Sequence, residues 1–239
     1  MIIFLKHIAI EGPETFSRFF KRKGFDIKII ELQDGKPLPE DLSGIEAVVS
    51  LGGPMNVYEE DKYSFLKAED KFLRQTIDQD VPFIGICLGS QLLAKARDAK
   101  VGKSPEKEIG FLPVQLTPEG KKDPLFAGLA EKMDLFHWHE DMSELPSGAV
   151  LLASSRGCPH QAFKIGSNAY GLQFHIEITE PTIQKWADAY FSPEDSFRMQ
   201  QKRVMIADYR NKKELFHQIT DTVYNNFLKI ISNRTSLHN

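Results

Sequence analysis

An α/β fold, an open and mainly parallel sheet with helices on both faces and a mixed or antiparallel β extension, is predicted by three observations. Strand-like and helix-like segments alternate up to about residue 95. PFIGIC among them is fully apolar, the pattern of a strand covered on both faces. From about residue 100 the pattern changes to short strand-like runs joined by Pro, Gly and Ser turns.

In chain order, MIIFLKHIAI reads as a strand, and ETFSRFFKRKG sets Phe16, Phe19 and Phe20 at helical spacing before stopping at Gly24. FDIKIIEL is a second strand. The turn-rich QDGKPLPEDLSG leads into IEAVVSL, a β-branched run that ends at Gly52-Gly53-Pro54. YSFLKAEDKFLRQTIDQ repeats apolar residues, Phe65 with Phe72 and Leu66 with Leu73, until Val81-Pro82, and PFIGIC follows as an apolar strand. EIGFLPVQL, KMDLFHWHE, AVLLASS, QAFKIG and AYGLQFHIE read as strands of the second half. EPTIQKWADAYF is helical, as is a final stretch in which Leu215, Ile219, Val223 and Phe227 recur every four residues. Residues 1–190 are expected to form one domain, with 191–239 a helical extension packed on it.

The totals exclude several function classes. A chain of 239 residues, 41% hydrophobic, can bury a sizeable core. A net charge of −3, with no dense Lys/Arg cluster among aromatics, argues against nucleic acid. The apolar start is interrupted by Lys6 and His7 and is too short for a membrane span, so a cytoplasmic protein is expected. Two cysteines, Cys87 and Cys158, make neither a disulfide framework nor Cys-pair metal sites.

Cys87 lies in Gly85-Ile86-Cys87-Leu88-Gly89, a G-x-nucleophile-x-G elbow in which glycines allow a turn too tight for flanking side chains. A helix starting just after it would bring free N–H groups toward the sulfur and favour the nucleophilic thiolate. A cysteine ending an apolar strand is equally an ordinary core residue, so the elbow alone leaves both readings open. In GLQFHIE, His175 and Glu177 are two apart, on one side of an extended chain, where the carboxylate can orient the imidazole. Gly52-Gly53 follows a strand and lets backbone amides approach a ligand, and the amides of Gly53 and Leu88 could together hold an oxyanion.

LGGPMNV (51–57), PFIGICLGSQLLA (82–94), KEIGF (107–111), HWHEDMSELP (137–146) and YGLQFHIE (170–177) together resemble the class I glutamine amidotransferases, above all stand-alone members similar to the glutaminase part of GMP synthetase. The resemblance implies a flavodoxin-like sheet and a Cys-His-Glu triad of Cys87, His175 and Glu177. It also implies an oxyanion hole from the amides of Gly53 and Leu88, and contacts to glutamine from Gly52, Gln91, Trp138, His139 and Asp141. The implied reaction is hydrolysis of the glutamine side-chain amide, or of a γ-glutamyl amide, through a thioester. Three positions depart from the family pattern: Ile176 for the proline of His-Pro-Glu, Glu140 for a glycine, and Ser90 for a His or Met. Ile176 bears on how Glu177 meets His175, and Ser90 on the shape of the pocket. His137 and His139 share one side of a strand, but no metal role belongs to this motif in the family, and neither metal nor cofactor is expected.

The chain carries no G-x-x-x-x-G-K-[ST] loop, so ammonia is expected to pass to a separate synthetase subunit, or the protein to act as a stand-alone γ-glutamyl hydrolase or peptidase. Two other readings remain. A ThiJ/PfpI-like enzyme would place an early acid, Glu11 or Glu14, against the cysteine, and a non-catalytic module would keep only the fold. Cys158 reads as structural. VGKSPEKE and Tyr58-Glu59-Glu60-Asp61 read as solvated surface, with a docking surface for an ammonia-accepting partner as the alternative.

Overall fold

The computed structural model describes residues 1–237. The first half alternates as expected: β1 (Ile2–Lys6), α1 (Glu14–Arg22), β2 (Ile27–Glu31), β3 (Ala47–Ser50), α2 (Phe65–Asp78), β4 (Phe83–Ile86) and α3 (Leu88–Lys95). Then come β5 (Val101–Leu116), β6 (Lys132–Ser143), β7 (Val150–Ser154), β8 (Ala162–Ile165) and β9 (Ala169–Leu172), followed by α4 (Glu180–Tyr190) and α5 (Ser196–Leu237). Residues 238 and 239 of the expected extension lie outside the described residues.

One nine-stranded sheet runs β2-β1-β3-β4-β9-β8-β7-β5-β6. Its first five strands are parallel, in the flavodoxin-like order, with β9 as the fifth. The remaining pairings are antiparallel. Alternate residues of the parallel strands face opposite cores. Ile2, Phe4, Val49, Ile84 and Ile86 pack with Phe16 and Phe20 of α1, Trp186 of α4 and Tyr224 and Phe227 of α5. Ile3, Leu5, Val48 and Phe83 pack with Leu66, Phe72 and Leu73 of α2 and Leu92 and Leu93 of α3. Burial on both faces is why these strands carry no polar alternation.

Three details differ from expectation. VGKSPEKE, a charged surface stretch in the sequence, lies within β5: it pairs with β6 at Val101–Lys103 and again from Glu108, the register shifting between Lys103 and Glu108 where the polar residues bulge. β9 ends at Leu172, so the Gln173–Glu177 stretch is a bend, with a single bridge between His175 and Phe136. Leu215 is 58% exposed, and Phe216 takes the buried place beside Ile219 and Val223, because the face of a long helix drifts from a strict four-residue repeat. Among the described residues no helix is long and apolar enough to cross a membrane.

Candidate active site

The carboxyl ends of β1, β3, β4 and β9 lie side by side, with Leu5 opposite Ser50, Ser50 opposite Gly85 and Ile86 opposite Leu172. Ligands of open parallel sheets bind at such ends. The loops leaving them converge on a cavity of about 550 Å³ lined by Glu11, Gly53, Cys87, Gln91, Trp138 and His175, among others.

Cys87 joins β4 to α3 with φ 51° and ψ −105°, backbone angles an L-residue adopts only when its surroundings impose them. The constraints are visible. Its N–H donates to the Leu172 carbonyl at 2.8 Å, and its carbonyl accepts from the amides of Ser90 and Gln91 at 3.1 and 3.2 Å. The Ser90 hydroxyl adds a fourth bond, to the same carbonyl at 2.8 Å. Ser90 therefore braces the elbow from within the protein. A Cβ on Gly85 would lie 2.3 Å from the Gly89 carbonyl oxygen, and one on Gly89 would lie 2.2 Å from that of Ser50. Only glycine lets β3, β4 and α3 approach so closely.

His175 sits in the bend after β9. Its Nδ1 is 2.7 Å from Glu177 Oε1, and both side chains are buried. The second carboxylate oxygen of Glu177 accepts from the Ile176 N–H at 2.9 Å, a bond a proline there could not give. The chain is bent rather than extended, yet a two-residue loop still brings the carboxylate onto the ring. Burial disfavours charge on His175, but the Glu177 carboxylate and the Cys87 sulfur against its ring outweigh it and raise its pKa well above the usual value. The indole of Trp186 packs edge-on against the imidazole at 4.9 Å.

Beside Cys87, Gly52 and Gly53 follow β3. A Cβ on Gly52 would meet Glu11 Oε2 at 2.6 Å and His175 Cε1 at 3.1 Å. Neither the Gly53 amide nor the Leu88 amide, at the first turn of α3, donates to a protein acceptor among the described residues. Both remain free to bind a ligand oxygen.

The residues expected to hold substrate separate into groups. The Gln91 side chain donates to the Asp141 carbonyl and to Gln173 Oε1, at 3.1 and 3.2 Å. Asp141 accepts from Asn56 Nδ2 at 2.9 Å and pairs with Lys103 at 3.0 Å. Trp138 stacks on Phe191 as a wall of the cavity, and its carbonyl lies 3.8 Å from Cys87 Sγ. His139 lines the cavity, its Nδ1 donating to the Asp141 carbonyl at 3.2 Å and its Nε2 lying 3.0 Å from Glu108 Oε2. Glu140, where the family has glycine, pairs with Lys107 and Lys103 at the rim.

His137 and His139 do meet a third potential ligand, Glu108, their donor atoms lying within 4.8 Å of one another. Glu108 already accepts from Ser155 Oγ at 2.7 Å and Gln161 Nε2 at 2.5 Å, so the cluster ties β5 and β6 to the 155–161 turn. Burial drives the His137 pKa down to about 3, making it a neutral core ring. Cys158 is buried and free, and burial pushes its thiol up to about 11. The Tyr58–Asp61 stretch is less solvated than expected: Glu59 lines the cavity and Glu60 pairs with Lys95.

Three further side chains belong to the site or its support. Gln173 Nε2 lies 3.6 Å from Cys87 Sγ. Glu11, proposed only for the ThiJ/PfpI-like alternative, lines the cavity and accepts from the Tyr190 hydroxyl at 2.9 Å; burial raises its pKa against the opposing pull of His175. His7 holds the Gly52 carbonyl from behind at 3.0 Å. The available signal was position: both His7 and Glu11 follow the first parallel strand, where such sheets carry their ligands.

Relatives agree with this architecture. The family described as glutamine amidotransferase class-I matches residues 14–185. YfeJ of Salmonella typhimurium, named as glutamine amidotransferase-like, is 35% identical over 184 residues, 76% of this chain and 77% of its own. A glutamine-hydrolysing GMP synthase of Thermosipho africanus is 31% identical over 70% of this chain, which spans only 30% of that protein. The crystal structure of a glutamine amidotransferase from Thermotoga maritima superposes with a TM-score of 0.84 at 30% identity, covering 96% of each chain. The chain belongs to the class I glutamine amidotransferase family.

Proposed function

We propose that the protein hydrolyses the side-chain amide of glutamine, or of a γ-glutamyl compound, with Cys87 as nucleophile, His175 as acid and base, and Glu177 as its orienting carboxylate. The observation that carries this reading is the buried His175–Glu177 pair at 2.7 Å set against a cysteine held on a strained elbow at the cavity wall. The Cys87 thiolate attacks the carboxamide carbon, and the oxygen that gains charge is held by the amides of Gly53 and Leu88. His175 gives its proton to the departing amine, leaving a γ-glutamyl thioester and a neutral imidazole. That imidazole takes a proton from water, which attacks the thioester; collapse releases glutamate and restores the thiolate–imidazolium pair. Gln91 and Asp141, tied together beside the sulfur, border the substrate's amino-acid head group. Where the substrate is glutamine, the ammonia passes to a separate synthetase protein. Support for that comes from the likeness to one component of a glutamine-hydrolysing GMP synthase from Thermococcus kodakarensis, 39% identical over 113 residues.

The test is glutamate release from glutamine and a panel of γ-glutamyl amides, alone and with candidate synthetases. Turnover by the wild type, lost in Cys87→Ala, is expected. Equal inactivity of the two proteins on the whole panel, with every partner, would overturn the reading. Turnover only with a synthetase would select the ammonia donor over the stand-alone hydrolase.

A further inference from the structure

His7, Ser50 and Glu69 are all fully buried, and they come from the loop after β1, the end of β3 and the middle of α2. The Ser50 hydroxyl donates to Glu69 Oε1 at 2.7 Å, Glu69 Oε2 lies 2.8 Å from His7 Nε2, and His7 Nδ1 lies 3.0 Å from the Gly52 carbonyl oxygen. A carbonyl only accepts, so Nδ1 carries the hydrogen and the orientation of the ring is set. A buried polar chain of this kind is a poor source of stability, because apolar side chains of similar volume often do as well or better. Its placement points elsewhere, since it terminates on one peptide of the cavity wall.

That peptide joins two glycines. Glycine adopts nearly all backbone angles, so a Gly-Gly peptide can rotate at little cost. Its two faces have opposite consequences. In a trans peptide the carbonyl and the following N–H point in opposite directions, and the described residues contain no cis bond. With the Gly52 carbonyl on His7, the Gly53 N–H is turned away from His7, takes no protein acceptor, and belongs to a residue that lines the cavity with Cys87. Rotated the other way, the carbonyl would present negative charge where an oxyanion forms, and the amide would be lost to it. Burial disfavours charge on His7, but Glu69, with the Gly52 carbonyl and Glu11, outweighs it and raises the pKa of the ring.

We propose that His7, backed by Glu69 and Ser50, is a positioning residue that holds the Gly52–Gly53 peptide with its N–H turned into the cavity, so the oxyanion site stands ready without a partner protein. Only the kinetic consequence rests on the glutaminase reading. The orientation of the peptide does not.

Three variants separate the two. His7→Leu removes the bond to Gly52. His7→Asn keeps a donor near the Nδ1 position. His7→Leu with Glu69→Met removes both charged groups, so that no orphaned carboxylate is left to unfold the protein. Crystal structures report the peptide orientation directly, and kcat and KM are measured on the best substrate of the panel with no partner present. The variants lacking the donor are expected to show the Gly52–Gly53 peptide rotated or in two orientations, with kcat down by about 10²-fold, the usual cost of one oxyanion donor. KM is expected to stay within roughly threefold, as befits an interaction made only in the transition state. His7→Asn is expected to keep the wild-type peptide and most of kcat. An unrotated peptide in the donor-less variants, or a kcat loss as large in His7→Asn as in His7→Leu, would overturn the proposal. If the wild type turns over nothing on the panel, the proposed function falls, and the peptide orientation alone decides the role of His7.

Discussion

His175 is pulled in opposite directions, burial against its charge and Glu177 and Cys87 for it, and the second wins. Its folded pKa is therefore raised. The stability this contributes is fully present below the unfolded value of about 6.5 and is lost as pH rises through the raised folded value. Activity that needs a protonated imidazole beside a thiolate falls over that same upper range. Glu177→Gln keeps a hydrogen-bond acceptor but removes the charge, so the alkaline limb of kcat/KM is expected to move to lower pH and kcat to fall about 10- to 100-fold; a pH–rate profile of both proteins checks this. Ile176 works at the same point. Its N–H holds the far oxygen of Glu177, so Ile176→Pro is expected to leave that oxygen without its donor and to cost about 1–2 kcal/mol by urea denaturation. Spacing put His175 and Glu177 within reach of each other, and the two side chains do pair at 2.7 Å, but the way they meet was not readable from it. Strand pairing ends at Leu172, and where a strand stops depends on partners distant in sequence.

At the level of elements, the elbow depends on three backbones meeting with no side chain between them. Gly89→Ala would drive a Cβ to 2.2 Å from the Ser50 carbonyl oxygen, with no flexible group to yield. The expected outcome is a loss of about 1–3 kcal/mol or more in chemical denaturation, together with reduced activity, because parting β3 from α3 moves Gly52 relative to Cys87. Gly24→Ala, where a Cβ would meet nothing within 4 Å but φ is +85°, is expected to cost about 1 kcal/mol and leave activity unchanged. The alternation of β1 through α3 was legible because β1, β3 and β4 are buried on both faces while α1 and α2 each bury one face. The β5 segment 101–108 was not. Its polar residues satisfy no strand periodicity, and what holds it is the β6 backbone beside Val101–Lys103 and Glu108 and the Gly157 carbonyl, which accepts from Ser104 and Glu106.

Across the whole molecule, α5 returns from the far end of the chain to support the site. The Tyr224 ring stacks on Phe16 at 4.4 Å, and its hydroxyl donates to the Ile176 carbonyl at 2.9 Å. The same hydroxyl lies 2.9 Å from Thr15 Oγ1, which itself donates to the Glu177 carbonyl. Tyr224→Phe keeps the ring and leaves the carbonyl of the His175–Glu177 bend unpaired. A loss of about 1–2 kcal/mol and a lower kcat are expected, although the residue lies behind the site rather than in it. Helical periodicity showed that this segment would be a helix, but not which face would pack or that it would reach Ile176. The proposed function has one central claim, that Cys87 forms a covalent γ-glutamyl intermediate. Intact-protein mass spectrometry after rapid acid quench of a reacting mixture tests it directly: a γ-glutamyl adduct confined to the Cys87 peptide, absent from Cys87→Ala, is the expected result. Turnover that persists in Cys87→Ala, or an adduct on another residue, would contradict it.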